Sequence, residues 1–207
     1  MSCLTMRSLL PVIVLASMSA GGCATSPPSQ FYLMTPLPEA DMPRHTAQRD
    51  MGPALGVGPV KLPAYLDRPG VVTRSNPNAL QVAEFDRWGE PLEDNFKRVL
   101  AMNLGVLADT DRVSIYPWPR SAPVDCQVTV EVDRFDAAAD SQVVLMARWQ
   151  VLGGEEGRVV RSGRTVVTEP AVTSNYEALA SAMSGAMATL SREIATAIPR
   201  STKGKCR

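Results

Sequence analysis

The clearest chemistry in this chain belongs to Cys23, set in Ala20-Gly21-Gly22-Cys23-Ala24-Thr25 and followed at once by "SPPSQ". A thiol preceded by small residues and trailed by a polar Pro/Ser run can take a diacylglycerol thioether. Cleavage of the Gly22–Cys23 bond then frees an amine for a further acyl chain. One acyl chain holds a protein on a bilayer only marginally, at about 0.8 kcal/mol per buried CH₂, whereas two or more anchor it stably. The preceding residues agree: Arg7 is the only charge among residues 1–22, and Leu9–Ala20 reads "LLPVIVLASMSA". A membrane-spanning helix needs roughly 20 apolar residues, so this shorter run, ending in small side chains, reads as a cleaved secretory signal. Leucine is the usual residue where Ala20 stands, and the alternative is a secreted protein with an incidental cysteine. Ala24, where an aspartate would signal retention at the inner membrane, points to the periplasmic face of the outer membrane.

Three other cysteines remain. Cys3 leaves with the signal. Cys126 and Cys206 stand 80 residues apart, and an oxidising periplasm permits them to pair. Closing such a loop would stabilise the fold by roughly 4 kcal/mol in the chain-entropy picture. The alternative is a buried Cys126 and a free thiol on a frayed tail.

Other reactive arrangements are absent from the sequence. The one histidine, His45, lies in a Pro-rich stretch, and no HExxH, CxxC or GxSxG occurs. Gly56-Val57-Gly58 lacks the third glycine and following helix of a dinucleotide fingerprint. Glu131 and Asp133 alternate on a solvated strand face and read as surface charges. No metal-ligand cluster is visible, so neither an enzyme nor a bound cofactor is expected beyond the covalent lipid. Loss of residues 1–22 removes only Arg7, leaving 20 basic against 21 acidic side chains over 185 residues. That balance, net −1, lacks the concentrated basic face that nucleic-acid binding needs.

The elements that must position these residues follow from periodicity. Residues 23–54 are expected to form a lipidated, Pro-rich tether, interrupted by Phe31-Tyr32-Leu33-Met34 as a short first strand. Residues 55–200 carry the folded domain, and 201–207 a tail. Strands are expected through Val57 and Val60, then as a hairpin of 70–75 and 79–85 turning at Asn76-Pro77-Asn78. Pro91 opens a helix over 91–108, with Glu93 and Asp94 at its positive end. Its stripe is Leu92, Phe96, Val99, Leu100, Leu104 and Leu107. "RVSIYPWP" then gives a short strand. Val124, Cys126, Val128, Val130 and Val132 share one face of the next, and 142–152 and "RVVRSGRTVVTE" complete a meander. A capping box from Ser174 to Glu177 starts a closing helix, whose buried face includes Met183 and Met187 and which Pro199 ends. The fold class is α+β, a mainly antiparallel sheet with two helices on one face.

Two stretches stand out from this frame. "LPAYLDRPGVV" places Tyr65, Asp67 and Arg68 between strands, and "RWGEPL" sets Trp88 before the first helix. They are either a partner-binding or oligomer surface, since Tyr, Trp and Arg dominate interfaces, or a rigid turn. In the rigid turn Trp88 packs on the helix start and Asp67 or Glu90 pairs with Arg68.

"FYLM", "VGPVKLPAYLDRPGVVTR", "DRWGEPLEDNFKRVLAMNL" and "VTVEVDRFD…VVLMARWQV", in that order, resemble the PqiC (YmbA) family of ABC-type transport auxiliary lipoproteins over about residues 31–198. The departures are Ala20 and a long 36–53 insert. The resemblance implies an outer-membrane lipoprotein without catalytic residues, forming ring-like homo-oligomers. It would work with an MCE-domain protein, PqiB, and an inner-membrane protein, PqiA, in moving lipid or other hydrophobic molecules across the periplasm and maintaining envelope integrity. Related systems pair such a lipoprotein with an ABC transporter, and the sequence does not choose between them. Two other readings remain open: a lipid binder with a groove lined by Met183 and Met187, and an assembly factor for another envelope complex.

Overall fold

The computed structural model describes residues 26–38, 52–138, 142–153, 157–171, 175–199 and 206. Cys23, the signal, His45 and the capping serine Ser174 therefore lie outside the described residues.

Among the described residues, eight strands and two α-helices follow in the order β1 (Gln30–Tyr32), β2 (Leu55–Lys61), β3 (Gly70–Asn76), β4 (Ala79–Trp88), α1 (Leu92–Leu107), β5 (Val113–Ile115), β6 (Cys126–Ala138), β7 (Gln142–Gly153), β8 (Arg158–Pro170) and α2 (Tyr176–Ala197). The expected hairpin is β3–β4 and the expected meander is β6–β7–β8, both antiparallel. Strand β6 is the spine. One edge pairs with β7 along its whole length. The other edge carries two strands in tandem, β2 in parallel from Cys126 to Glu131 and β3 at a single bridge, Thr73↔Ala137. Beyond these, β5 runs parallel to β2 and β1 runs parallel to β4. The sheet is thus mixed, mostly antiparallel by length of pairing.

Alternation on β6 explains which face is covered. Val128, Val130 and Val132 are buried while Glu131 and Asp133 are exposed, as period 2 requires. An irregularity between Val132 and Arg134 then resets the phase, and Phe135, Asp136 and Ala137 are all buried. Both helices pack on the covered face and against each other. Their apolar stripes, Phe96, Val99, Leu100 and Leu104 on α1 and Leu179, Met183, Met187, Leu190 and Ile194 on α2, join the same core. Phe96 meets Phe135 edge-to-face at 5.8 Å.

Two local details differ from the sequence reading, and a third explains a pair of glycines. Pro91 is the residue just before α1 rather than its first turn. Asn175 caps α2, its side chain accepting the Ala178 N–H. The glycines at 56 and 58 make room for aromatic rings: a Cβ on Gly56 would meet Trp118 at 2.7 Å, and Gly58 has φ +115°, where side-chain-bearing residues are strained. Among the described residues no helix is long and apolar enough to cross a membrane.

Candidate functional site

Two polar constellations and one surface groove distinguish this molecule. The first begins at β1. Immediately after that strand, Leu33–Pro38 lies across α1 and α2, and polar side chains on those helices bind its backbone. Asn95 of α1 accepts the Met34 N–H at 2.7 Å and donates to the Met34 carbonyl at 3.3 Å. One turn further, Ser184 of α2 accepts the Thr35 N–H at 3.0 Å. Asn103 accepts the Leu37 N–H at 2.8 Å and donates to Ser191 at 3.1 Å. Met34, Leu37, Asn95, Asn103 and Ser191 are all at most 3% exposed. A buried backbone amide left unpaired costs about 1–3 kcal/mol, so these side chains decide whether the segment can lie there at all. Residues 30–38 are therefore built into the folded domain; the sequence reading placed a short first strand at 31–34 and made the rest of this stretch part of a tether running to residue 54. The available signal was two asparagines eight apart on a helix, each beside the apolar stripe.

Beside this strap a groove of about 360 Å³ opens between β1 and α2, lined by Phe31, Tyr32, Leu33, Ala180, Ser181 and Ser184, among others. Phe31 is 66% and Leu33 46% exposed. Tyr32 turns inward, its hydroxyl donating to Asp86 at 2.9 Å. Met183 and Met187 are 2% and 0% exposed, core residues on the buried face of α2 as the helical spacing predicts, and they do not line the groove that the alternative lipid-binder reading placed at them.

The second constellation surrounds Asp136, which is fully buried. The Tyr65 hydroxyl donates to it at 2.7 Å, Arg74 Nη2 at 2.9 Å and Arg134 Nε at 2.9 Å. Arg74 also lies 5.8 Å over the Tyr65 ring. Burial pushes the Asp136 carboxyl up, but the Arg74, Tyr65 and Arg134 hydrogen bonds outweigh it and hold it below the usual carboxylate range. Burial, then the bond to that carboxylate, pushes the Tyr65 phenol up to about 12. Arg74 sits in β3 and Arg134 and Asp136 in β6, so the cluster clamps two strands that share one ladder bridge.

Four residues singled out as an interface thus have different surroundings. Tyr65 is half-buried and committed to Asp136. Trp88 is 6% exposed and packs in the core beside α1, because its strand delivers it to the covered face; it is not available to a partner. Asp67 and Arg68 are exposed on the 3-10 turn that carries Tyr65. No ion pair between Arg68 and Asp67 or Glu90 forms among the described residues; Glu90 pairs with Arg98. Cys126 and Cys206 are joined by a disulfide with Cα atoms 5.3 Å apart. Cys206 packs so closely that a Cβ on Gly153 would sit 2.3 Å from its carbonyl oxygen.

The profile of the ABC-type transport auxiliary lipoprotein component family matches residues 32–195. The chain belongs to that family. Its match starts within β1 and ends within α2, so the strap, the Asp136 cluster and all of the groove lining except Phe31 lie inside the matched range. Two solved structures share the fold. One is an uncharacterized protein, 19% identical, covering 84% of this chain and all of its own, with TM-score 0.66. The other is a Xanthomonas campestris protein of the DUF330 family, 20% identical, covering 81% of this chain and 93% of its own, with TM-score 0.59. No curated protein matches.

Proposed function

We propose that this chain is a non-enzymatic envelope adaptor, held by lipid on Cys23 to the periplasmic face of the outer membrane. It assembles with copies of itself and docks an MCE-domain protein, which with an inner-membrane component carries lipid across the periplasm. The observation carrying this reading is the family match beginning at Tyr32, nine residues after a cysteine in a lipidation setting. The chemistry needed is geometric: a greasy foot, a rigid body and an exposed docking surface, for which the exposed Asp67 and Arg68 are the candidates. Cys23→Ser leaves the domain folded but moves it to the soluble periplasmic fraction; unchanged membrane retention contradicts the anchor. Photocrosslinking in intact cells from Asp67 and Arg68 is expected to capture an MCE-domain protein and a second copy. Crosslinks to an unrelated envelope complex alone would favour the assembly-factor reading.

A further inference from the structure

The strap leaves little free chain before the domain. From Cys23 to β1 there are seven residues, which span at most about 23 Å when fully extended at roughly 3.3 Å each. From Gln30 onward the chain is paired to β4 and then bonded to both helices. The end of the molecule carrying β1 is therefore confined near whatever bilayer holds the anchor.

That end has the composition of a surface that meets lipid. Residues 23–38 contain no charged side chain, where a chain that is 20% charged would place about three. The first charge is Glu39. Phe31 and Leu33 are exposed there, both apolar, with Tyr32 between them and Tyr176 6.2 Å from Tyr32. Aromatic side chains concentrate at the level of lipid headgroups because one end is apolar and the other polar. Arg87, which neighbours Phe31 in the β1–β4 register, is exposed and adds a cation to this edge, its Nε donating to the Glu84 carbonyl at 3.2 Å. Two carboxylates border the patch: Glu177 lines the groove with Phe31 and Leu33, and Asp86 accepts the Tyr32 hydroxyl. A core function does not explain Phe31 and Leu33, since Met34 and Leu37 fill the inward positions of the same segment.

We infer that Phe31 and Leu33 seat the domain on the bilayer interface adjoining its own anchor, giving the molecule a fixed orientation instead of a swinging tether. This rests on lipidation at Cys23. Cys126 and Cys206 are paired, so Phe31→Cys or Leu33→Cys in the mature lipidated protein offers one labelling thiol. Each variant, and Val166→Cys on β8 as a water-facing control (Val166 is 55% exposed), would carry a nitroxide. The labelled proteins would be placed in vesicles of phosphatidylethanolamine and phosphatidylglycerol. At positions 31 and 33 the label is expected to lose accessibility to a water-soluble nickel chelate and gain it to oxygen, relative to position 166. Nickel accessibility equal at all three positions, with the lipid on Cys23 confirmed by mass, overturns the seat but leaves the anchor. Absence of lipid on Cys23 overturns both. Since each labelled site is exposed, loss of fold in one variant leaves the other to decide.

Discussion

Removing the Asp136 carboxylate would leave Arg74 and Arg134 facing one another without their counter-charge. Breaking a buried pair in this way costs about 3 kcal/mol or more, so Asp136→Asn is expected to lower the urea midpoint by a corresponding amount. The pH dependence has a definite sign. Asp136 is held below its ordinary value of about 3.9, so its stabilisation is complete above about pH 4. It is lost as pH falls through the depressed folded value. Asp136→Asn flattens that acid limb, and an unchanged acid limb would contradict the role. Tyr65 behaves oppositely: its phenol is raised from about 10 to about 12. Its contribution holds below pH 10 and disappears as pH climbs to 12. Tyr65→Phe should therefore cost about 2 kcal/mol at neutral pH and reduce the alkaline loss between pH 10 and 12. A smaller slope remains there because Tyr32 and Tyr176 are raised as well.

At the scale of elements, the strap and the disulfide tie the two ends of the described chain to the body. Asn95→Ala with Asn103→Ala leaves the Met34 and Leu37 amides buried without acceptors, at a cost of about 2 kcal/mol each. Hydrogen exchange should report it as lost protection over residues 33–38 with β6 and β7 still protected; uniform loss would mean that the strap is not a separate unit. Reducing the Cys126–Cys206 bond, which spans 80 residues, should lower unfolding stability by about 4 kcal/mol. A denaturation curve indifferent to reductant would contradict that. Elements with local signatures were legible in the sequence: both helices, the β3–β4 hairpin and the β6–β8 meander have clean periodicity and turn residues. Pairings between distant segments were not. Parallel β2–β6 and the β3–β6 bridge join strands separated by a helix and leave no mark on either strand's pattern. Asp136 shares the covered parity of Val128, Val130 and Val132, but it escaped notice because its partners Tyr65 and Arg74 come from distant segments and leave no mark on the pattern of β6. The strap was hidden by its prolines, Pro36 and Pro38, which read as loop although Met34 and Leu37 anchor it.

For the whole molecule, the sheet, both helices and the strap form one unit whose N-terminal edge is a few residues from Cys23. With Cys23 lipidated as proposed, a domain held so close would not swing freely on its anchor, and a partner would have to come to the surface it presents. That geometry has meaning only if Cys23 is the membrane attachment. The most direct test is intact-mass and N-terminal peptide analysis of the mature protein from its own envelope. A chain beginning at Cys23 and carrying a thioether diacylglycerol with an acylated amine is the expected result. A chain that begins elsewhere, or an unmodified Cys23, would contradict the account.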